Sequence, residues 1–331
     1  MLFSLIVPVY NRPDEVADLL ESLAAQTDRG FELILVEDGS TIPCRDITER
    51  YAGKVDIRYF MRPNEGRSIA RNYGMQQARG DYFVFVDSDC ILPPDYFESL
   101  RRSLAESWAD CFGGPDAAHE SFTDTQKAIN FAMTSFLTTG GIRGGKVQME
   151  KFVPRTFNMG FARRVWERTG GFREMFSEDI DMSTRIHQAG YAPQLIRDVR
   201  VFHKRRGNLA KFWRQVHVFG MSRITLQLLY PGSMKAVHWM PAIFTIGTVA
   251  LILLGIFVSP WWLLPLGVYI AALWISAIIS TRSLKIGTMA VAASMVQLFG
   301  YGTGFIRAYV WKILLRHGRD EAQEIAMRKG K

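Results

Sequence analysis

The sequence is poor in cysteine and lacks the cysteine spacings that bind zinc. Its 331 residues include only Cys44, Cys90 and Cys111, with no CxxC pair and no cluster at metal-ligating spacing. A disulfide framework and a thiolate metal site are therefore both unsupported. We expect three reduced thiols in a domain that faces the cytosol.

A signal peptide and a nucleic-acid-binding module are also missing. The N-terminal apolar run, residues 2–10, has no basic leader and is interrupted by Pro8, so it predicts a first β-strand. The formal net charge is +8, but no recognisable nucleic-acid-binding motif accompanies it. We therefore expect no nucleic acid among the partners.

Long apolar runs are concentrated in the last third of the chain. Up to about Tyr230 the sequence mixes charged, polar and apolar residues as a globular domain does. Beyond it, three uncharged stretches lie at 239–258, 261–280 and 287–306. A helix of about 20 apolar residues spans a bilayer core, so each stretch predicts a membrane segment. Ordinary buried helices are the alternative, and three in succession argue against it.

The basic residues flank these apolar stretches. One group precedes them and comprises Lys204, Arg205, Arg206, Lys211, Arg214 and Arg223, and another lies in the tail, 307–331. Basic clusters beside membrane segments indicate contact with anionic lipid on the cytoplasmic side. Arg282 and Lys285 should lie there too. Three crossings would put the tail outside, whereas two crossings with a re-entrant or surface-lying third stretch keep every cluster inside. We favour the second arrangement, in which the sequence GYGTG (300–304) could host a bend.

The first half of the chain alternates short apolar runs with helical patterns. The predicted strands are 2–10, 31–40, 55–61 and 81–89, and the predicted helices are 14–26, 46–51 and 68–78. Such alternation is typical of an α/β fold with a parallel sheet covered on both faces. Ligands bind at the carboxyl ends of strands in these sheets. The turns PVYNRP, VEDGS and VDSD fall at those ends.

The segment that follows is less regular. Residues 112–154 predict irregular structure with a mobile glycine-containing loop at 140–145. The later predictions are a return to the sheet at 152–161, helices at 163–169 and 178–189, a strand at 194–203 and an amphipathic surface helix at 208–230.

Two acidic motifs stand out as candidates for chemistry. Asp87 and Asp89 end a strand, and because side chains alternate along a strand, both can point the same way. Two such carboxylates suit a hard divalent cation, Mg²⁺ or Mn²⁺, although a solvated turn is the alternative. The second motif, SEDID, carries Glu178, Asp179 and Asp181 at the start of a helical pattern. Those carboxylates could simply complement the helix dipole, but a base and a metal site in one pocket would explain both motifs.

At the level of longer segments the chain resembles a family 2 glycosyltransferase with a GT-A fold. The resemblance rests on SLIVPVYNRP, VEDGS, NEGRSIARNYGMQQARGDYFVFVDSDC and NMGFARRVWERTGGFREMFSEDIDMSTRIHQAGY, which follow in the family's order and cover most of 4–191. It implies a GT-A catalytic domain at 1–207. From composition we expect an amphipathic or interfacial segment at 208–238, a hydrophobic membrane region of two or three segments at 239–315 and a basic tail at 316–331.

The resemblance implies roles for matching positions. The residues lining the nucleotide-sugar pocket would be Pro8, Tyr10, Asn11, Asp38, Arg67, Arg71 and Asp87. The metal ligands would be Asp87 and Asp89, with His203 as a possible further ligand or a purely structural residue. The catalytic residues would be Asp179, as general base, and its neighbour Glu178. A packing role for Tyr10 and the role of a salt-bridged helix residue for Arg71 stay open.

Two departures from the family pattern matter. Glu37 precedes Asp38 where two aspartates are more usual, which is a mild change. The QxxRW motif of cellulose-synthase-type members is missing, since Gln215 stands in QVHVF. This argues against a processive polymer synthase of that type.

The resemblance implies metal-dependent, inverting transfer of a sugar from a UDP- or GDP-sugar. The acceptor would be a lipid-linked sugar or a glycan at the cytosolic face, and membrane lipids would be further partners. The expected setting is cell-surface polysaccharide or glycolipid synthesis by a multi-pass protein of the inner membrane, with its catalytic domain in the cytosol. A nucleotidyltransferase would need a Gly-rich basic phosphate loop after the first strand, and PVYNRP is not one. A non-catalytic membrane scaffold or sugar-binding protein would have no need of both acidic motifs.

Overall fold

The computed structural model describes residues 1–117, 122–140, 152–203 and 207–327. The chain divides into two compact units. The first comprises Met1–His119, Lys151–Lys204 and Met327–Lys331, and the second comprises Glu120–Glu150 and Arg205–Ala326. The described residues 122–140 therefore group with the C-terminal helices, not with the sheet.

The described part of the first unit contains ten strands. They are β1 Phe3–Val9, β2 Phe31–Asp38, β3 Ile57–Arg62, β4 Tyr82–Phe85, β5 Cys90–Ile91, β6 Cys111–Gly113, β7 Asp116–Ala117, β8 Met159–Ala162, β9 Gln194–Leu195 and β10 Val201–His203. Seven form a sheet in the order β3-β2-β1-β4-β8-β6-β9, and the other three form a small sheet in the order β5-β10-β7. The pairs among β3, β2, β1 and β4 are parallel, whereas β8 runs antiparallel to β4 and β6.

In the described part of this unit, six helices cover the sheet. They are α1 Pro13–Ala24, α2 Arg45–Tyr51, α3 Arg67–Gln77, α4 Tyr96–Glu106, α7 Arg163–Thr169 and α8 Glu178–Gln188. Helices are numbered in chain order, and α5 and α6, which lie between α4 and α7, belong to the second unit. Strands β1 and β2 are buried almost throughout, as expected of a parallel sheet packed on both faces. Helix α3 lies close to β1, because a Cβ at Gly74 would come within 2.5 Å of Ile6 Cγ2.

The predicted α/β fold is confirmed, and its first four strands and three helices lie within a few residues of their predicted bounds. Helix α4 was not predicted. The single strand predicted at 194–203 is wrong, since β9 and β10 are separate and belong to different sheets. The irregular segment predicted at 112–154 contains β6 and β7 and, in the second unit, helices α5 Asp124–Thr134 and α6 Phe136–Thr139. Most of the predicted glycine-containing loop lies outside the described residues.

The rest of the second unit is helical. Its elements are α9 Leu209–Leu229, α10 Ala236–Phe257, a 3₁₀ turn Pro260–Leu263, α11 Leu264–Thr281, α12 Leu284–Ala308 with a π-helical extension Tyr309–Leu314, and α13 Gly318–Met327. Among the residues that the structure describes, three helical segments are long and apolar enough to cross a membrane: Ala236–Phe257, Pro260–Thr281 and Leu284–Leu314. The predicted helix at 208–230 is confirmed as α9.

The glycines of GYGTG allow close helix packing, and α12 stays helical through them, while the expected bend stays a prediction. A Cβ at Gly304 would lie 2.0 Å from the carbonyl oxygen of His217 in α9, and one at Gly302 would lie 2.4 Å from the carbonyl oxygen of Pro241 in α10. Glycine at these positions lets backbones approach, as in small-residue contacts between membrane helices.

We expect Gly304→Ala to destabilise the second unit by about 1–3 kcal/mol, because its methyl group would overlap backbone atoms of α9. Thermal unfolding of the detergent-solubilised protein measures the change. Gly267→Ala in α11 is the matched control, since a Cβ there meets nothing within 4 Å. Equal melting temperatures for the two variants would contradict the close packing.

Candidate active site

The acidic motifs and the predicted arginines meet at the carboxyl end of the parallel strands. Asp38 is the last residue of β2, Asp87 follows β4 by two residues, and Glu178 and Asp179 open α8. Helix α3 begins with Arg67 and carries Arg71 one turn later. Parallel strands end at one edge of the sheet, and that edge holds ligands in folds of this kind.

Arg71 is the centre of this cluster and is only 1% exposed. One of its terminal nitrogens donates to Asp87 Oδ1 at 2.7 Å, and the other donates to Glu178 Oε1 at 2.9 Å. Its guanidinium also lies over the ring of Phe172, 5.6 Å from the centroid. A single buried cation therefore joins the DSD motif to the SEDID motif.

Arg67 adds a second positive charge at the same carboxylate. Its Nη2 atom donates to Glu178 Oε2 at 2.8 Å, so both oxygens of Glu178 are bound by arginine. The side chain of Glu178 is 3% exposed, whereas that of Arg67 is 54% exposed. Glu178 therefore positions arginines, and Arg67 presents charge to solvent beside the cluster.

Asp179 differs from its neighbour because its partners leave part of it accessible. Its Oδ2 atom accepts from Arg155 Nη1 at 3.1 Å, and Oδ1 accepts from the Ile180 amide at 2.8 Å. Burial by itself would raise the pKa of Asp179, but Arg155, the Ile180 amide and Arg67 outweigh that effect and hold the pKa below its ordinary value. Asp179 is therefore ionised at neutral pH, the state in which a carboxylate accepts a proton.

The lowered pKa of Asp179 sets the acidic limit of any activity that needs it ionised. We expect Arg155→Gln to raise that pKa, because the variant removes the main attractive charge. The acidic limb of the kcat/KM profile should move to higher pH, as protonation then occurs earlier on acidification. Arg168→Gln, an exposed change on α7, is the control. An unshifted limb in Arg155→Gln would show that Asp179 does not set it.

Asp89, the second aspartate of the DSD motif, pairs with Arg12. Arg12 Nη1 donates to Asp89 Oδ2 at 2.9 Å, and the Asp89 side chain is 12% exposed against 35% for Asp87. No group of three or more His, Cys, Asp and Glu side chains placed to hold a metal occurs among the described residues. Two carboxylates still fit Mg²⁺ or Mn²⁺, which commonly take one or two protein carboxylates and complete their shell with substrate phosphates and water.

The turn after β1 is tied to the turn after β2. Asn11 has a positive φ of 52°, which asparagine tolerates better than most residues. Its side-chain oxygen accepts from the backbone amides of Thr41 and Ile42 at 2.8 and 3.0 Å, and its backbone amide donates to the hydroxyl of Ser40. Asn11 therefore fixes the shape of the first turn. Beside it Pro8 is half-buried and Tyr10 is 49% exposed.

Asp38 holds the entry to helix α3. Its carboxylate accepts from the amides of Glu65 at 2.8 Å and Gly66 at 3.0 Å. Glu37, fully buried, accepts from the amide of Cys44 at 2.9 Å and from the hydroxyl of Tyr59. These bonds give the Glu-Asp pair a clear structural role.

His203 is the last residue of β10, and its backbone pairs with Cys90 of β5 just after the DSD motif. The side chain of His203 lies outside the described part of the chain.

Three contributors were missed from the sequence. Arg12 lies within the PVYNRP turn, so its positive charge beside a strand end could have been recognised from the sequence. Asn72 forms two hydrogen bonds with the backbone of Phe172, and a Cβ at Gly171 would lie 2.4 Å from its side-chain oxygen, which explains the glycine at 171. Gly170 has a positive φ of 75°, which favours glycine. Arg155 follows an irregular segment and gave no signal of its own.

Comparison with known proteins agrees with this geometry. Residues 4–187, more than half of the 331-residue chain, match the model described as Glycosyl transferase family 2. EpsJ of Bacillus subtilis, named an uncharacterized glycosyltransferase, is 37% identical over 184 residues, covering 54% of this chain and 52% of EpsJ. TuaG of the same organism, provisionally named a teichuronic acid biosynthesis glycosyltransferase, is 34% identical over 133 residues, covering 39% of this chain and 52% of TuaG. The chain spans about half or less of the length of the curated relatives it matches.

Among solved structures, the chain is similar to the mannosyltransferase PcManGT of Pyrobaculum calidifontis in complex with GDP-Man and Mn²⁺. The TM-score is 0.55 at 18% identity, over 95% of this chain and 87% of that one. This likeness shows a GT-A fold. With the family match over the sheet and both acidic motifs, it follows that the chain belongs to glycosyltransferase family 2 and also carries helices long and apolar enough to span a membrane.

Proposed function

We propose that the protein transfers a sugar from a UDP- or GDP-sugar to a lipid-linked or glycan acceptor, with inversion at the anomeric carbon and with a divalent cation. The observation that carries the proposal is the Arg71 bridge between Asp87 and Glu178. It brings a candidate cation site and a candidate base, Asp179, into one cluster at the ligand-binding edge of the sheet.

Asp179 is the residue best suited to accept the acceptor's proton. A hydroxyl group is a poor nucleophile, and a positioned carboxylate that removes its proton as it attacks lowers the barrier. Asp179 is ionised and remains 17% exposed, so an incoming hydroxyl can reach it. Glu178 cannot do the same work, because two arginines bind its oxygens and burial excludes the acceptor.

The departing nucleoside diphosphate gains negative charge as the glycosidic bond breaks. Arg67 and Arg12 keep 54% and 31% of their side chains exposed and could contact phosphate oxygens. Asp87 and Asp89 would hold Mg²⁺ or Mn²⁺, which would neutralise charge on the diphosphate. Positive charge held in place before the reaction stabilises the transition state without reorganisation.

The remaining residues of the predicted pocket would shape the donor site. Pro8, Tyr10 and Asn11 line the turn after β1, where the exposed Tyr10 ring could lie against the nucleotide. Asp38 would contact the base while its carboxylate orders the start of α3. His203 stays a candidate ligand for the cation or the diphosphate.

The membrane helices suggest where the acceptor is presented. Helices α10 and α11 are long, apolar and mostly exposed, as expected of lipid-facing segments. A polyprenyl-phosphate-linked acceptor would lie beside them at the cytosolic face of the inner membrane, and the basic residues before α10 would contact anionic lipid. The name of TuaG favours a place in cell-surface polysaccharide synthesis.

A donor panel tests this function. The purified protein in lipid nanodiscs is incubated with UDP- and GDP-sugars, with Mn²⁺, Mg²⁺ or EDTA, and release of nucleoside diphosphate is measured. We expect one donor to be cleaved, and cleavage to stop with EDTA. Unchanged cleavage in EDTA would overturn the cation requirement, and cleavage of no donor with lipid extract supplied as acceptor would overturn the transferase proposal.

A further inference from the structure

Helices α10 and α11 form a helical hairpin. The 3₁₀ turn Pro260–Leu263 joins them, and a Cβ at Gly255 would lie 2.7 Å from Leu263 Cγ at the tip. Farther from the tip the rings of Phe244 and Tyr269 are 5.2 Å apart. A hairpin that crosses a bilayer returns the chain to the side from which it entered. The start of α10 and the end of α11 therefore belong to the same membrane face.

The first turns of α12 pack against the end of α11. Helix α11 ends at Thr281 and α12 begins at Leu284. Trp274 Nε1 donates to Thr288 Oγ1 at 3.1 Å. A Cβ at Gly287 would lie 2.6 Å from Ile278 Cγ1. The start of α12 is thus placed at the end of the hairpin.

The last turns of α12 pack against the start of α10. The ring of Trp239 lies 4.9 Å from that of Phe305 and 5.3 Å from that of Tyr309. Phe244, farther along α10, contacts Phe299, at a ring separation of 5.5 Å. Trp239, near the start of α10, faces the end of α12, and the later Phe244 faces an earlier residue of α12. The two helices are therefore antiparallel where they touch.

Three successive crossings require the opposite arrangement. The first and third helices would run in the same direction, and the start of α10 would lie beside the start of α12. The 25 residues of α12 extend about 38 Å, more than the bilayer core of about 30 Å. Trp239 could not then reach Tyr309, because the membrane would separate them.

We infer that the chain crosses the membrane twice and that α12 lies along the bilayer surface, across the base of the α10–α11 hairpin. The π-helical extension of α12 presents an apolar surface to the headgroup level of the lipid, formed by Val310, Trp311, Leu314 and Leu315, which are 41–62% exposed. Tryptophan and basic side chains such as Arg307 are typical of that depth. The burial pattern agrees, since 44% of the apolar part of α12 is covered by protein, against 17% for α10 and 11% for α11.

Single introduced cysteines test this topology, because Cys44, Cys90 and Cys111 are each 0% exposed and should give little background labelling. Three variants keep every charge in place: Val258→Cys at the hairpin tip, Leu284→Cys at the start of α12 and Leu315→Cys beyond its end. The full-length proteins are labelled with a membrane-impermeant maleimide in sealed vesicles of either orientation. We expect Leu284→Cys and Leu315→Cys to react from one side and Val258→Cys from the other.

Labelling of Leu315→Cys from the side that labels Val258→Cys would overturn the inference, because the third helix would then cross. Lipid could shield the thiol at 315 from both sides. A protease-cleavable tag after Lys331 gives the second readout, and its cleavage from the side that labels Val258→Cys would contradict the inference equally. The outcome is independent of the proposed sugar transfer, since no catalytic residue is changed.

Discussion

Replacing Asp179 with asparagine should reduce sugar transfer by about 10²–10⁴-fold, the usual contribution of a general base. Asparagine keeps the shape of the side chain but has one acceptor oxygen in place of two, so it keeps the hydrogen bond from either Arg155 or the Ile180 amide and loses the other. Its amide oxygen cannot take up a proton at neutral pH. The Kd for the nucleotide-sugar should stay within about threefold, because binding precedes the proton transfer. Single-turnover transfer and donor titration give the two quantities.

The matched control is Asp81→Asn, an exposed aspartate just before β4. It makes the same change in charge away from the cluster and should transfer at the wild-type rate. Wild-type transfer by Asp179→Asn would remove Asp179 as the base. A loss of donor affinity equal to the loss of rate would instead assign Asp179 to donor binding.

Replacing Arg71 with methionine should lower the free energy of unfolding of the first unit by about 3–5 kcal/mol. The change leaves Glu178, 3% exposed, without one of its two arginine partners and removes the partner of Asp87. A buried carboxylate that loses its cation is costly, even where the intact ion pair contributes little net stability. Transfer should fall to background, because the two acidic motifs lose the side chain that joins them.

The double variant Arg71→Met/Glu178→Gln separates stability from function. Its neutral pair should recover much of the lost unfolding free energy, and transfer should remain at background. Arg164→Met is the surface control: its pair with Asp110 is exposed, and such pairs contribute about 0–1 kcal/mol. An Arg71→Met protein as stable as Arg164→Met would contradict the central position given to Arg71.

The ends of the parallel strands were predictable because local sequence determines them. Apolar runs such as FELILV end in charged turns, and the strands stop where burial stops. Asp38, Asp87 and Asp89 could therefore be placed at one edge of the sheet. Helical spacing placed Arg71 on the helix predicted at 68–78, with Arg67 at its start. Strand alternation also suggested the cation role of Asp87 and Asp89, whereas the roles of Asp38, Arg67 and Arg71 came from resemblance, and all of these roles stay predictions.

The partners within the site could not be predicted, because they come from distant parts of the chain. Arg71 meets Glu178 across 107 positions, and Arg12 meets Asp89 across 77. No periodicity encodes such pairings. The role of Asn11 was also hidden, since only the folded turns show that its side chain binds the backbone of Thr41 and Ile42.

The C-terminal region shows the limit of reading hydropathy alone. Composition identified three segments long enough to span a membrane, and the structure has a helix at each. Composition could not say what the glycines at 300–304 do, because a bend and a close contact use the same residue. The Cβ positions show close contact at these glycines, and ring contacts of Trp239 give the direction of α12 relative to α10.

The proposed sugar transfer depends on one pocket in which Asp87 and Asp89 would hold a cation opposite the carboxylate of Asp179. A structure of the protein with an unreactive analogue of its donor and Mn²⁺ tests this most directly. We expect the metal between Asp87 and Asp89, the diphosphate against it, and Asp179 on the side of the anomeric carbon away from the diphosphate. A donor bound at another edge of the sheet, or with Asp179 on the same side as the diphosphate, would contradict the account.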